Sequence, residues 1–250
     1  MNNFRYILSQ IPPVTKNLIL INFIIWLATF LFPSQIGMPV MQYLGLHYWE
    51  GSLFNPAQLI SYMFVHDPRN FFHVLFNMFT LWMFGRILEN VWGSRRYFIY
   101  YMVCGIGAGI IQELVWAMMW QNEYISGIAQ INGLTFDHAK EVVTAAMTSG
   151  DKYWMEGVNQ FQNSLSVVGA SGAVFGLLLG FAFVFPDMPL YLFFIPVPIK
   201  AKYMVIGYGV IEFFLGIGGA QSTVAHFAHL GGMLFGLILL LIWKRKGMLR

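Results

Sequence analysis

Three short stretches carry side chains able to do chemistry in an otherwise apolar sequence. The first, Gly169-Ala170-Ser171-Gly172-Ala173-Val174-Phe175-Gly176, places a lone serine between glycines at the head of an apolar run. The second is Ala225-His226-Phe227-Ala228-His229-Leu230-Gly231-Gly232, and the third is Asn70-Phe71-Phe72-His73-Val74-Leu75-Phe76-Asn77. A hydroxyl and an imidazole about 2.6–3.2 Å apart make a nucleophile with its base, which casts Ser171 and His229 as a pair. His73 and Asn77 stand at i and i+4, on one helix face. Their N–H groups, with the backbone N–H of Ser171, are donors suited to an oxyanion. Each residue alone has a plainer reading: a packing serine, an interhelical hydrogen bond, a tie between a helix and its loop. Together, at one depth and beside small residues, they point to acyl transfer. No aspartate or glutamate is placed to orient His229, which predicts a Ser–His dyad rather than a triad. His226 lacks the glycine spacing of His229 and reads as structural, and His66 as packing or bonding locally.

The elements that must position these groups are helices in close contact. Gly172, Gly176 and Gly180 repeat every four residues, and Gly232 and Gly236 follow His229 at +3 and +7. Such small-residue rows let two membrane helices approach backbone to backbone. The expectation is that the two rows meet and bring Ser171 to His229. At 1.5 Å per residue both side chains fall about 8 Å below the outer surface of a ~30 Å hydrocarbon layer. A hydroxyl and an imidazole at that level need either each other or water, which implies a polar cavity opening outward.

Composition agrees with a membrane setting. The 250 residues are 58% hydrophobic and 10% charged, against roughly 25% charged in soluble domains. Six apolar segments are expected at residues 18–32, 71–87, 97–120, 167–185, 203–217 and 224–243, in one domain over residues 1–250. Arg5, Lys16, Arg86, Arg95, Arg96, Lys200, Lys202, Lys244, Arg245, Lys246 and Arg250 then share one side, and acidic residues dominate the other. By the positive-inside rule both termini are cytoplasmic. The first apolar run has no small-residue cleavage site after it and reads as a crossing rather than a signal peptide. The first external connection, residues 33–70, reads as half-buried interfacial helices. The second, residues 121–166, is polar and acidic, with an amphipathic helix expected over 136–147 and Thr135 or Asp137 near its N-cap. Glu113 and Glu212 are intramembrane carboxylates expected to pair with backbone or loop donors. The single cysteine, Cys104, excludes an intrachain disulfide. No H-E-x-x-H occurs, and neither a metal nor a cofactor is expected.

These motifs resemble the rhomboid intramembrane serine proteases. The resemblance rests on Gly169-Ala170-Ser171-Gly172, on Ala228-His229-Leu230-Gly231-Gly232 with Gly236, on His73-x-x-x-Asn77, and on Glu89-Asn90-Val91-Trp92-Gly93. It implies an all-α, six-transmembrane-helix bundle. Ser171 would be the nucleophile and His229 the base. His73, Asn77 and the Ser171 N–H would form the oxyanion hole, with Gly169, Gly172, Phe175, Gly232 and Gly236 in support. It further implies cleavage of single-pass or membrane-anchored proteins near the outer surface, in a bacterial plasma membrane, with no nucleic-acid partner. The fifth helix, with Gly207 and Gly209, would be the lateral gate. Two departures stand out. Pro56-Ala57-Gln58 occupies the place of a Trp-Arg pair, and Phe175 replaces a tyrosine that stacks on the histidine. The rival readings are a non-catalytic member of the same fold and a small transporter using Glu113 and Glu212.

Overall fold

The computed structural model describes residues 10–192, 195–218 and 225–249. Arg5 and Arg250, counted above in the charge balance, and Val224, the expected start of the sixth segment, lie outside the described residues. The chain runs through α1 (Pro13–Leu31), α2 (Met38–Leu44), β1 (Leu46–His47), α3 (Gln58–Ser61), α4 (Phe71–Trp92) and α5 (Ser94–Asn132). It continues through α6 (Phe136–Ser149), α7 (Lys152–Ser164), β2 (Ser166–Val167), α8 (Ser171–Val184), β3 (Pro189–Leu192), β4 (Ile195–Lys200), α9 (Ala201–Ile217) and α10 (His226–Arg245).

Among the described residues, α1, α4, α5 and α10 are long and apolar enough to cross a membrane, and α8 is a shorter apolar helix. Large apolar side chains face outward, including Phe23, Ile24 and Phe30 on α1 and Ile206, Val210 and Phe214 on α9. Exposed apolar surface on this scale needs lipid as its solvent, so the protein is integral to a membrane.

Helix α8 lies at the centre of the bundle. Nine of its 14 residues are buried, and the half-buried Ser171, Phe175, Leu179 and Phe183 fall on the one remaining face. Tyr100 and Cys104 of α5 pack against its glycine row, and the Tyr100 hydroxyl donates to Gly176 O at 2.9 Å. Phe181 meets Phe84 of α4 edge-on, with centroids 4.7 Å apart.

Helix boundaries depart from the hydropathy reading in two places that matter. The segment expected from residue 167 becomes helical only at Ser171. Residues 166 and 167 instead pair as β2 with β1, Leu46 opposite Val167 and His47 opposite Ser166. Gly169 then turns the chain at φ 130°, a conformation open to glycine and unfavourable to other residues. The segment expected to end at residue 120 continues to Asn132, well beyond its apolar part. Its polar extension is held by a second small core, where Trp120, Tyr124 and Ile125 pack with Ala139 and Val143 of α6 and Val158 of α7. Thr135 caps α6 by accepting from His138 N.

The long polar connection clasps the first one. Asn163 Oδ1 accepts from Leu53 N at 3.0 Å, and Gln162 Nε2 donates to Glu50 Oε2 at 3.0 Å. Within the first connection, Gln58 is buried and makes four bonds. Its Oε1 accepts from His47 N and Asn55 N, and its Nε2 donates to Tyr43 O and Leu53 O. This amide anchors the loop where a Trp-Arg pair is missing. Glu113 accepts from Trp49 N at 3.0 Å, as expected of a carboxylate paired with a loop donor. At the other end of the bundle, Glu89 accepts from Val14 N, Thr15 N, Thr15 Oγ1 and Ser94 Oγ at 2.7–2.9 Å. A single carboxylate thereby satisfies the orphan N–H groups that open α1.

Candidate active site

Ser171 is the first residue of α8, and the chain leading to it is fixed from both sides. The β1–β2 pair holds residues 166 and 167, and Gly169 N donates to Tyr62 O at 3.0 Å. No side chain caps the helix. The N–H groups of its first turn therefore have no side-chain acceptor, and the positive end of the helix dipole there favours negative charge.

The glycine rows meet, though only at one level. A Cβ on Gly232 would overlap the Gly172 carbonyl, and one on Gly176 would come within 3.1 Å of Gly232 O. Gly236 turns instead to Tyr100 and Cys104 of α5, and Gly180 faces Trp92 and Tyr100. Where α8 and α10 touch backbone to backbone, Ser171 Oγ lies 2.9 Å from His229 Nε2. The hydroxyl donates to that nitrogen when it is unprotonated, and from there a proton can pass as the oxygen attacks a carbonyl. Phe175, one turn below Ser171, stacks on the imidazole with centroids 4.2 Å apart and planes 5° apart. The stack fixes the ring plane without a hydroxyl.

The far side of the imidazole corrects the sequence reading. A carboxylate is placed against His229: Glu212 Oε2, from α9, lies 3.0 Å from His229 Nδ1. The same oxygen lies 2.6 Å from His226 Nδ1. The contact with His229 has the length of an ion pair without the alignment of a hydrogen bond. Glu212 thus pairs with two histidines rather than with backbone or loop donors. Sequence spacing could not reveal this, because the carboxylate arrives from another helix. Glu212, His226 and His229 present three potential metal ligands within 4.8 Å of one another. Two ligands of a tetrahedral zinc, each about 2.0–2.1 Å from the ion, stand about 3.3 Å apart. Separations of 2.6 and 3.0 Å are those of direct contact, so this set does not fit a metal without opening.

His73 and Asn77 reach the site differently. The His73 ring packs over Gly169, where any Cβ would meet its Nε2 at 2.7 Å and Ser171 Oγ at 3.8 Å. Asn77 is buried, and its Nδ2 donates to His73 O at 3.0 Å and to His66 Nε2 at 3.2 Å. Both amide hydrogens therefore face protein acceptors. His66, read from sequence only as a local contact, receives Asn77 Nδ2 and, at 3.5 Å, Ala170 N on the same nitrogen. It ties α4 to the residue preceding Ser171. Burial holds its pKa down at about 3, with the neighbouring His73 adding to the effect, so its ring stays neutral and can accept.

Ser171, His229, His73 and Asn77 all line one cavity of about 1360 Å³. Asp67, Arg69 and Asn70 line it as well, and it extends between α4, through Phe72, Phe76, Phe79 and Met83, and α9, through Met204 and Tyr208. Positions 72, 76, 79 and 83 share one helix face, giving the cavity an apolar wall along α4.

The family model described as the Rhomboid domain matches residues 53–246, from the first connection to the end of α10. No curated protein matches the chain.

Proposed function

The chain belongs to the rhomboid family of intramembrane serine proteases, and on that premise we propose that Ser171 and His229 are its reacting pair. The carrying observation is the 2.9 Å contact of Ser171 Oγ with His229 Nε2 across two helices that touch at Gly172 and Gly232. His229 takes the proton of Ser171 as the oxygen bonds to a peptide carbonyl carbon, and returns it to the leaving amine. The carbonyl oxygen, now negative, is held by the Ser171 N–H at the start of α8 and by His73. Asn77 joins them once its amide leaves His66. Water from the cavity then attacks the acyl-enzyme, with His229 again as base.

The substrate is a transmembrane or membrane-anchored protein. The groove between α4 and α9 supports this, since it joins the polar groups to the apolar wall along α4. An extended peptide reaches Ser171 only where its own helix is unwound, which favours small and helix-weakening residues near the cleaved bond.

The membrane arrangement we propose is six crossings in one domain over residues 1–250, made by α1, α4, α5, α8, α9 and α10. Helices α8 and α9, of 14 and 17 residues, span about 21 and 25 Å. The positive-inside rule supports cytoplasmic termini, and the reading takes the membrane as a bacterial plasma membrane with α2, α3 and the rest of the first connection half-buried at its outer interface. Ser171 then lies about 8 Å below that surface.

The test is cleavage of a tagged single-pass substrate in liposomes by wild type and by Ser171→Ala. Loss of cleavage in a Ser171→Ala protein of unchanged melting temperature supports the reading, and undiminished cleavage sinks it.

A further inference from the structure

We propose that Glu212 is a positioning residue for the reaction, turning the pair into a Ser171–His229–Glu212 relay braced by His226; this rests on the reading of Ser171 and His229 as the reacting pair. Glu212 Oε2 stands between two imidazoles of α10, 2.6 Å from His226 Nδ1 and 3.0 Å from His229 Nδ1. The three side chains are only 9–12% exposed. At so low an exposure an electrostatic contact is screened less than at the surface. The carboxylate has two effects on His229. Facing Nδ1, it keeps the proton on that nitrogen, which leaves Nε2 unprotonated toward Ser171. It also stabilises the imidazolium formed when Ser171 Oγ bonds to the carbonyl carbon and its proton moves to Nε2. Glu212 itself takes no proton.

His226 acts on the carboxylate. With its Nδ1 on Oε2, it fixes the oxygen on one side while His229 meets it on the other. The resting contact with His229 is out of line for a hydrogen bond, and contacts of this kind tighten once substrate binds. On α9, Tyr208 and Glu212 are i and i+4. Tyr208 packs edge-on against Phe175, with centroids 6.3 Å apart, and Phe175 stacks on His229. Helix α9 therefore bears on the base at two points, one through a stack of rings and one through a charge.

The experiment compares wild type, Ser171→Ala, Glu212→Gln, Glu212→Asp and His226→Gln as full-length chains in liposomes. It measures kcat and KM on a tagged single-pass substrate, the rate of Ser171 labelling by a fluorophosphonate, and melting temperature. An amide at position 212 can turn its NH₂ to Nδ1 and impose the wrong tautomer. Glu212→Gln should therefore lower kcat about 10²-fold or more, with KM changed less than about threefold. Labelling should slow in parallel. Glu212→Asp should recover at least about tenfold of that loss, and His226→Gln should fall between. The proposal is overturned if kcat of Glu212→Gln stays within about threefold of wild type while Ser171→Ala is inactive. It is also overturned if Gln and Asp lose activity equally and in step with melting temperature, which marks a strut between helices. Should Glu212→Gln not fold, Glu212→Asp and His226→Gln decide by the same kcat and labelling criteria. Cleavage by Ser171→Ala instead removes the underlying reading of the pair.

Discussion

The ring of Phe175 lies parallel to that of His229, 4.2 Å away between centroids and 5° from coplanar. One residue of α8 thus presents the hydroxyl, and another one turn on sets the plane of the ring that faces it. An aromatic pair of this kind is worth about 0.5–1.5 kcal/mol beyond its buried area. Phe175→Ala should slow fluorophosphonate labelling of Ser171 about 3–10-fold, in line with that energy. Phe175→Tyr should label at close to the wild-type rate, because the ring remains. Equal rates for Phe175→Ala and wild type would show that the stack positions nothing.

Gly232 should not tolerate a methyl group. Its Cβ would overlap the Gly172 carbonyl, a backbone atom with no rotamer to give. Overpacking of this sort costs about 1–3 kcal/mol. Gly232→Ala should lower the melting temperature in detergent and reduce cleavage more than tenfold by parting Ser171 from His229, roughly as a misplaced base requires. Gly127→Ala on α5, where a Cβ meets nothing within 4 Å, is the control and should change neither.

Asn77 and His73 separate by what each touches. Removing an oxyanion donor costs about 10²–10³ in rate. His73→Ala should show that loss in kcat with little change in stability. Asn77→Ala removes the amide that ties His66 to α4, so it should lower both kcat and melting temperature. An Asn77→Ala protein with wild-type kcat would restrict that residue to the tie.

Acid should loosen the same tie. The His66 pKa is held at about 3 in the folded protein by burial, below the roughly 6.5 of an unfolded chain. The unfolded state therefore takes up the proton first, and stability contributed by neutral His66 is present above about pH 6.5 and is lost as pH falls toward 3. Melting temperature measured from pH 7 to pH 4.5 should decline, and less steeply in His66→Gln, whose amide cannot titrate.

Glu89 should matter for folding alone. It accepts four hydrogen bonds that close the start of α1 against α4 and α5. Glu89→Ala leaves these buried donors without a partner, at about 1–3 kcal/mol for each one that water cannot reach. Folded yield and melting temperature should drop, while kcat per folded molecule stays within about twofold.

What could be read in the sequence follows from the kind of signal involved. The glycine rows and the serine and histidine at their heads were legible because small residues at fixed spacing state directly where backbones can meet. The start of α8 was not, since residues 167–170 are as apolar as the helix and only the turn at Gly169 separates strand from helix. The length of α5 was hidden by polarity: residues 121–132 carry no membrane signal, yet a core shared with α6 and α7 keeps them helical. Glu212 was hidden by topology. It lies near the end of α9 and His229 near the start of α10, and no periodicity relates two residues on different helices. Gln58 was visible only as a departure, and the four bonds it makes belong to a loop whose path hydropathy does not describe.

The backbone contact of Gly172 with Gly232 has a consequence for the timing of assembly. The separation of Ser171 from His229 is set by main chain on both helices, not by long side chains that must be collected when a substrate arrives. The entropy of bringing the two groups together is lost while the bundle folds. Each turnover then begins from a pair already in register, and binding free energy from the substrate is left for unwinding its own helix.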